Sequence, residues 1–340
     1  MAITAADKGL VTVFGGSGFL GRHVVRELLR RRWRVRAAVR RPDLAGHLQP
    51  LGLVGWVQPV QANLRYRWSV DRAVTDANAV VNLVAILSEH GRQRFDAVHA
   101  FGARAVAEAA RGAGISRLVH VSAIGADFNS ASAYARTKAA GEAAVFETVP
   151  DAVVFRPSIM FGPEDHFFNR FAAMARLLPA FPLFGGGHTR FQPAFVGDVA
   201  RAIADAVEGK VRRGMTYELG GPEVRTFREC LELMLETIER RRLLVPVPWS
   251  LAVAGASPLQ YLPSPLITVD QVRQLQVDNV VSEKAIAEGR TFAGIGIDPT
   301  SLEAVLPSYL YRFRARGQFE PRRSVEPDGG GLRRAAAEEE

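Results

Sequence analysis

The stretch Leu10–Gly21, Leu-Val-Thr-Val-Phe-Gly-Gly-Ser-Gly-Phe-Leu-Gly, constrains this chain more than any other. Leu10–Phe14 is a short apolar run rich in β-branched residues, the length of a buried strand. Gly15, Gly16, Gly18 and Gly21 follow around Ser17, and from Phe19 the spacing turns helical, with Leu20, Val24 and Leu28 four apart. A strand, a glycine turn and a helix make half of a βαβ unit. The glycines permit a tight turn, close backbone approach to a pyrophosphate, and close helix–strand packing. The helix aims its free N–H groups and positive dipole end at the phosphates. Gly15 through Gly21 are therefore the first candidate nucleotide-binding residues.

The junction after the second predicted strand, Trp33–Val39, bears on which nucleotide. An NAD-binding unit places an acid about 20 residues past the glycines to bind the ribose 2′-hydroxyl, whereas arginine accommodates a 2′-phosphate. Arg40 stands 19 residues past Gly21, Arg41 follows, and the first acid is Asp43. The pattern favours NADP(H), with NAD(H) the other nucleotide such a unit holds. Upstream, Arg30, Arg31 and Arg32 read as a solvated, dipole-favourable helix end.

Val54–Val60 reads as a third strand, with Asn63 and Leu64 placed where such folds turn under the adenine. Ala79–Leu87 is a continuous apolar run of the kind buried on both faces of a parallel sheet. Phe101–Arg111 reads as a helix, Arg117–Ser122 as the next strand, and Val153–Phe155 as a later one. Alternating strands and helices predict an α/β, doubly wound parallel sheet with its ligand beyond the carboxyl ends.

The second chemical constellation is Tyr134-x-x-x-Lys138, 113 residues after Gly21. Four residues apart on a helix shares a face. An ammonium there stabilises a phenolate, and the lysine can also hold a ribose. Ser122 is the candidate partner for a substrate oxygen, with strand-end capping as its other reading.

Charge and composition exclude several classes. The net charge is +8 and the pI about 10.1, but the basic residues are scattered and no nucleic-acid module accompanies them. The single Cys230 excludes an internal disulfide. Glu164-Asp165-His166 lacks ligand spacing, so no metal is expected. Asp198 opens an apolar-periodic run and reads as an N-cap. The first strand begins too early to leave room for a signal peptide, and no apolar run is long enough to span a bilayer.

Gly15-x-x-Gly18-x-x-Gly21 with Tyr134-x-x-x-Lys138 resembles the extended or atypical short-chain dehydrogenase/reductases, which include the NAD-dependent epimerase/dehydratases. That resemblance implies a Rossmann sheet of seven strands with a smaller C-terminal region over the substrate side. A narrower resemblance rests on Asn82-Leu83-Val84, Arg156–Asp165, Gly185-Gly186-Gly187, Thr189–Pro193, Val196–Ala200, Tyr217–Pro222, Thr268-x-Asp270-Gln271-Val272 and Asp278–Val281. Together these resemble the NAD(P)H-binding accessory subunits of respiratory complex I and their bacterial homologues. This implies nucleotide contacts at Val84 and Ala85, and support of the nicotinamide end by Pro157 and Ser158. Ala123 departs from the superfamily, many members of which carry a second hydroxyl there. Two functions stay open: a nucleotide-holding accessory subunit with little turnover, or a free oxidoreductase, epimerase or dehydratase.

The expected organisation is a nucleotide-binding core over 8–165, a mixed region over 166–316 completing the sheet, and a disordered tail over 317–340. Leu243 to Thr268 carries no charge but five prolines, Trp249 and Tyr261. This segment is expected to face a partner or a membrane surface. The expected location is peripheral, on the cytoplasmic side of the inner (cell) membrane.

Overall fold

Strand and helix alternate along the first half of the chain as the periodicity demands. In the computed structural model, which describes residues 7–261 and 267–315, β1 (Leu10–Phe14), β2 (Arg34–Val39), β3 (Val57–Gln61), β4 (Ala79–Asn82), β5 (Leu118–Val121) and β6 (Val153–Pro157) form in order. Between them run α1 (Phe19–Arg30), α2 (Arg67–Val74), α3 (Phe101–Gly112) and α4 (Ala133–Thr148). The chain then passes through β7 (Met160–Phe161), α5 (Phe168–Ala175), β8 (Ala180–Phe184), β9 (Arg190–Phe191), β10 (Ala194–Phe195) and α6 (Val196–Val207). It returns to the sheet as β11 (Met215–Leu219), and continues with β12 (Arg225–Thr226), α7 (Phe227–Thr237), β13 (Leu243–Val247), α8 (Trp249–Leu259) and α9 (Val269–Gln274).

The central sheet has seven strands in the order β11-β6-β5-β4-β1-β2-β3, every pair parallel. The order reverses between β1 and β4, which opens the crevice where such sheets take their ligand. One face is covered by α1 and α6 through Val24, Leu28, Val199 and Ile203. The other is covered by α2, α3 and α4 through Val70, Val106 and Val145. Burial on both faces explains why β1 and β4 are apolar apart from Thr12 and Asn82. A third cluster joins Phe161, Phe168, Phe181 and Phe227 to Met234 and Leu306 in the second half.

Several local expectations shift. β3 begins at Val57, not Val54, because Gly55 at φ +80° turns the chain and leaves Val54 in solvent. β4 ends at Asn82, well short of Leu87, where Asn82 Oδ1 accepts from the Val84 N–H at 3.2 Å and bends the backbone. Asp198 is not the N-cap. Phe195 holds that position, and the Asp198 carboxylate accepts from the Thr300 N–H at 2.7 Å. Arg31 is not a solvated helix end, for its guanidinium meets Glu27 at 2.8 Å and Asp205 at 2.6 Å, tying α1 to α6. Trp249 is only half-buried, but a Cβ on Gly185 would stand 2.1 Å from its ring, so it packs internally. The expected tail over 317–340 lies outside the described residues, as do Pro263 and Pro265.

Candidate functional site: a nucleotide cradle beside a buried Tyr–Lys helix

The sequence-predicted residues gather at one end of the sheet. Gly15, Arg40, Ser122 and Ser158 each stand immediately beyond the last residue of β1, β2, β5 and β6. Asn63, Val84 and Ala85 follow β3 and β4 within three residues.

The glycine turn has the geometry of a phosphate cradle. Gly15 takes φ +81° and donates its N–H to Ala38 O at 3.0 Å. A Cβ on Gly21 would lie 2.2 Å from Gly15 O, so only glycine lets α1 start this close to the turn. α1 begins after Gly18 with no capping side chain and no acid in its first turn. Its leading N–H groups are thus left for an anion, which is the fit a dinucleotide pyrophosphate requires. Phe19 is half-buried and Leu20 buried, so both support the turn by packing.

The two arginines after β2 differ. Arg41 pairs with Asp43 at 2.6 Å, and both are exposed. Among the described residues no hydrogen bond or ion pair engages the exposed Arg40 guanidinium, which makes it the more available cation. Asn63 Oδ1 accepts from the Arg65 N–H at 3.2 Å and so shapes its turn, while Leu64 is buried in the core.

Ser132 caps α4, which carries a half-buried Tyr134 and a deeply placed Lys138. Lys138 is buried, and its Nζ donates to Val121 O at 2.8 Å, holding α4 against the end of β5. Burial lowers Lys138 to about 8, against the opposing charge of Glu142. The Tyr134 ring meets His99 edge-on at 5.1 Å and Phe95 at 5.8 Å. Burial first, and then the Asp270 carboxylate, push Tyr134 up to about 12. His99 falls to about 3 through burial and then Lys138, so it is neutral. It accepts from the Ile86 N–H at Nε2, and its Nδ1 lies 3.1 Å from Thr137 Oγ1. Ser122 is buried and its Oγ has no hydrogen-bond partner among the described residues, so it does not cap the strand end.

Ser158 is differently committed. Its hydroxyl donates to Asn279, with Oδ1 at 2.7 Å and the carbonyl at 2.9 Å. Pro157, the last residue of β6, pairs with Leu219.

A family model described as the NAD dependent epimerase/dehydratase family matches residues 11–220. The chain belongs to that family. Over 323 residues this epimerase/dehydratase chain is 35% identical to a protein of Arabidopsis thaliana, covering 91% of this chain and 79% of that one. That relative is named NADH dehydrogenase (ubiquinone) 1 alpha subcomplex subunit 9, mitochondrial. A Neurospora crassa relative, the NADH-ubiquinone oxidoreductase 40 kDa subunit, mitochondrial, is 30% identical over 91% of this chain and 80% of its own. Among solved structures, an NADPH-dependent quinone oxidoreductase of Escherichia coli, complexed with NADPH, superimposes with a TM-score of 0.68. It is 19% identical and aligns over 89% of this chain and 99% of that one, a likeness of fold alone.

Sequence reasoning missed four residues that organise the site. Asn279 anchors Ser158 and the Ile159 N–H, Asp270 reaches the start of α4, and Glu142 binds Arg156 bidentately at 2.7 and 2.9 Å. Buried His120 places Nδ1 3.2 Å from Asn82 Nδ2. Asp270 and Asn279 stood in motif strings, but no spacing rule could say what they touch.

Proposed function

We propose that this chain is an NADP(H)-holding accessory subunit of respiratory complex I (NADH:quinone oxidoreductase), with little or no turnover. The observation that carries the reading is the match over nine-tenths of the chain to relatives named as subunits of that enzyme. In this reading Gly15, Gly16, Ser17 and Gly18 hold the pyrophosphate with the start of α1, and Phe19, Leu20 and Gly21 support them. Arg40, assisted by Arg41, holds the 2′-phosphate. Asn63 and Leu64 flank the adenine, Val84 and Ala85 line the middle of the crevice, and Lys138 holds the nicotinamide ribose. Pro157 and Ser158 shape the nicotinamide end, Ser158 through its bond to Asn279. The bound nucleotide would supply hydride chemistry. Against use of Tyr134 as a base stands a phenol held in its protonated form by burial and then by the Asp270 carboxylate.

The core over 8–165 is read as the nucleotide-holding part and the mixed region over 166–316 as completing the sheet and covering the site, with a partner- or membrane-facing segment near 243–268. In this reading the chain sits peripherally on the cytoplasmic side of the inner (cell) membrane. No helix of the described residues is long and apolar enough to cross it, while Leu251 and Tyr261 are 64% and 84% exposed. The test of the nucleotide assignment is release of bound nucleotide from native protein by acid or base, followed by chromatography. The reading expects NADP(H) near one per chain. Protein that carries no nucleotide and gains none on addition refutes it, and Tyr134-dependent turnover of a metabolite supports the free-enzyme reading instead.

A further inference from the structure

The helix carrying Tyr134 and Lys138 is closed at its amino end by a residue far away in sequence. Ser132 accepts from the Ala135 N–H at 3.3 Å and donates its own hydroxyl to Asp270 Oδ2 at 2.8 Å. Asp270 Oδ1 accepts from the Ala133 N–H at 2.7 Å, and Oδ2 accepts from the Tyr134 N–H at 3.3 Å. A carboxylate from α9 thus takes two of the N–H groups that a helix start leaves without internal partners.

The carboxylate is itself held in place. Gln274 Nε2 donates to Asp270 Oδ2 at 3.0 Å. Thr268 and Gln271 form a reciprocal capping box that fixes the start of α9. Gln271 Nε2 also donates to Leu87 O at 3.3 Å, so the same short helix grips the segment after β4 that borders the crevice. On its other side α9 packs Val272 against Ala252 and Ala256 of α8.

We propose that Asp270 is a positioning residue of the nucleotide site, which fixes the first turn of α4 from α9 and places a negative charge that opposes a phenolate at Tyr134. The proposal rests on the nucleotide reading given above. An unoccupied helix start is electropositive and would favour an anion nearby. Here Asp270 consumes that advantage. The groups facing Tyr134 are consistent in effect. His99, across the ring, is neutral at ordinary pH, so it offers the phenolate no charge. Lys138, on the same helix, is lowered by burial and spends a donor on Val121 O. Asp270 is the anion, and with burial it accounts for the upward displacement of Tyr134.

The test compares full-length native protein with Asp270→Asn and Asp270→Ala. Asparagine keeps an acceptor for the Ala133 N–H and removes the charge, whereas alanine removes both. Tyr134 ionisation is followed in nucleotide-free protein by the 13Cζ resonance, assigned with Tyr134→Phe, and NADPH affinity by fluorescence titration. The expected result is a tyrosine midpoint at least about half a pH unit lower in Asp270→Asn than in native protein. NADPH affinity should fall about tenfold in Asp270→Ala and be restored to within about threefold of native in Asp270→Asn. A Tyr134 resonance equally protonated at pH about 11 in native protein and Asp270→Asn overturns the proposal, as does equal NADPH affinity in all three proteins. Native protein that binds no NADPH refutes the nucleotide reading instead, since the tyrosine titration reads Asp270 without it.

Discussion

Arg41 lies 2.6 Å from the Asp43 carboxylate, while its neighbour Arg40 has no such partner among the described residues. The two residues that read alike in sequence are therefore unequal. Arg40→Ala should lower the ratio of NADP(H) to NAD(H) affinity by about tenfold or more, the loss of one charge-assisted bond worth roughly 1.5–3 kcal/mol. Arg41→Ala should change it by less than about threefold, because that guanidinium already has a carboxylate. Calorimetric titration with both nucleotides measures the ratio, and a native ratio near one contradicts the assignment.

Gly21 is a packing constraint as well as a motif letter. Its absent Cβ would meet Gly15 O at 2.2 Å and Gly16 C at 2.6 Å, backbone atoms that cannot rotate away. Gly21→Ala should cost about 2–3 kcal/mol of stability. It should also abolish nucleotide binding by pushing α1 off the turn. Urea unfolding and nucleotide titration check both, and a variant of native stability would contradict the cradle geometry.

The glycine turn, β1 and the carboxyl end of β2 were legible because they obey local rules: periodicity, glycine spacing and apolar runs. β1 forms over the predicted Leu10–Phe14. What was not legible depended on contacts between distant residues. Arg31 read as a solvated end because nothing local announces Asp205 on α6 and Glu208 just past its end. Asp198 read as a cap because a carboxylate before a periodic run satisfies that rule, yet its acceptor is used by Thr300. Ser122 stood beyond a strand in either reading, and only its buried, partnerless oxygen distinguishes them.

Lys138 should make stability depend on pH. Its folded value of about 8 lies below the ordinary lysine value of 10.5. Between those values the unfolded chain keeps a proton that the folded chain has released, so stability rises with pH across that window. Tyr134, raised to about 12, acts in the opposite sense only above its ordinary value of 10.0. Native protein should therefore gain stability between pH 8 and 10 relative to Lys138→Met, in which this rise is missing. Chemical unfolding at several pH values tests it, and parallel pH profiles for the two proteins would contradict a lowered lysine.

The α8 face separates folding from docking. Trp249 packs on Gly185, whereas Leu251 projects 64% exposed. Trp249→Asp should destabilise the chain by about 2–3 kcal/mol through a lost internal contact and a partly buried charge. Leu251→Asp should leave thermal stability within about 0.5 kcal/mol of native, yet release the protein from membranes. Thermal unfolding and membrane sedimentation distinguish the two, and equal membrane recovery of native protein and Leu251→Asp removes α8 from the docking surface.

Membership of complex I is the central claim, and it is measured most directly by solubilising membranes that contain the assembled enzyme in mild detergent and resolving them by size. The chain should co-migrate with NADH:quinone oxidoreductase activity at near-stoichiometric amount, and the isolated fraction should yield NADP(H) on denaturation. Recovery of the chain wholly in the soluble fraction, with the assembled enzyme lacking it, would contradict the accessory-subunit account.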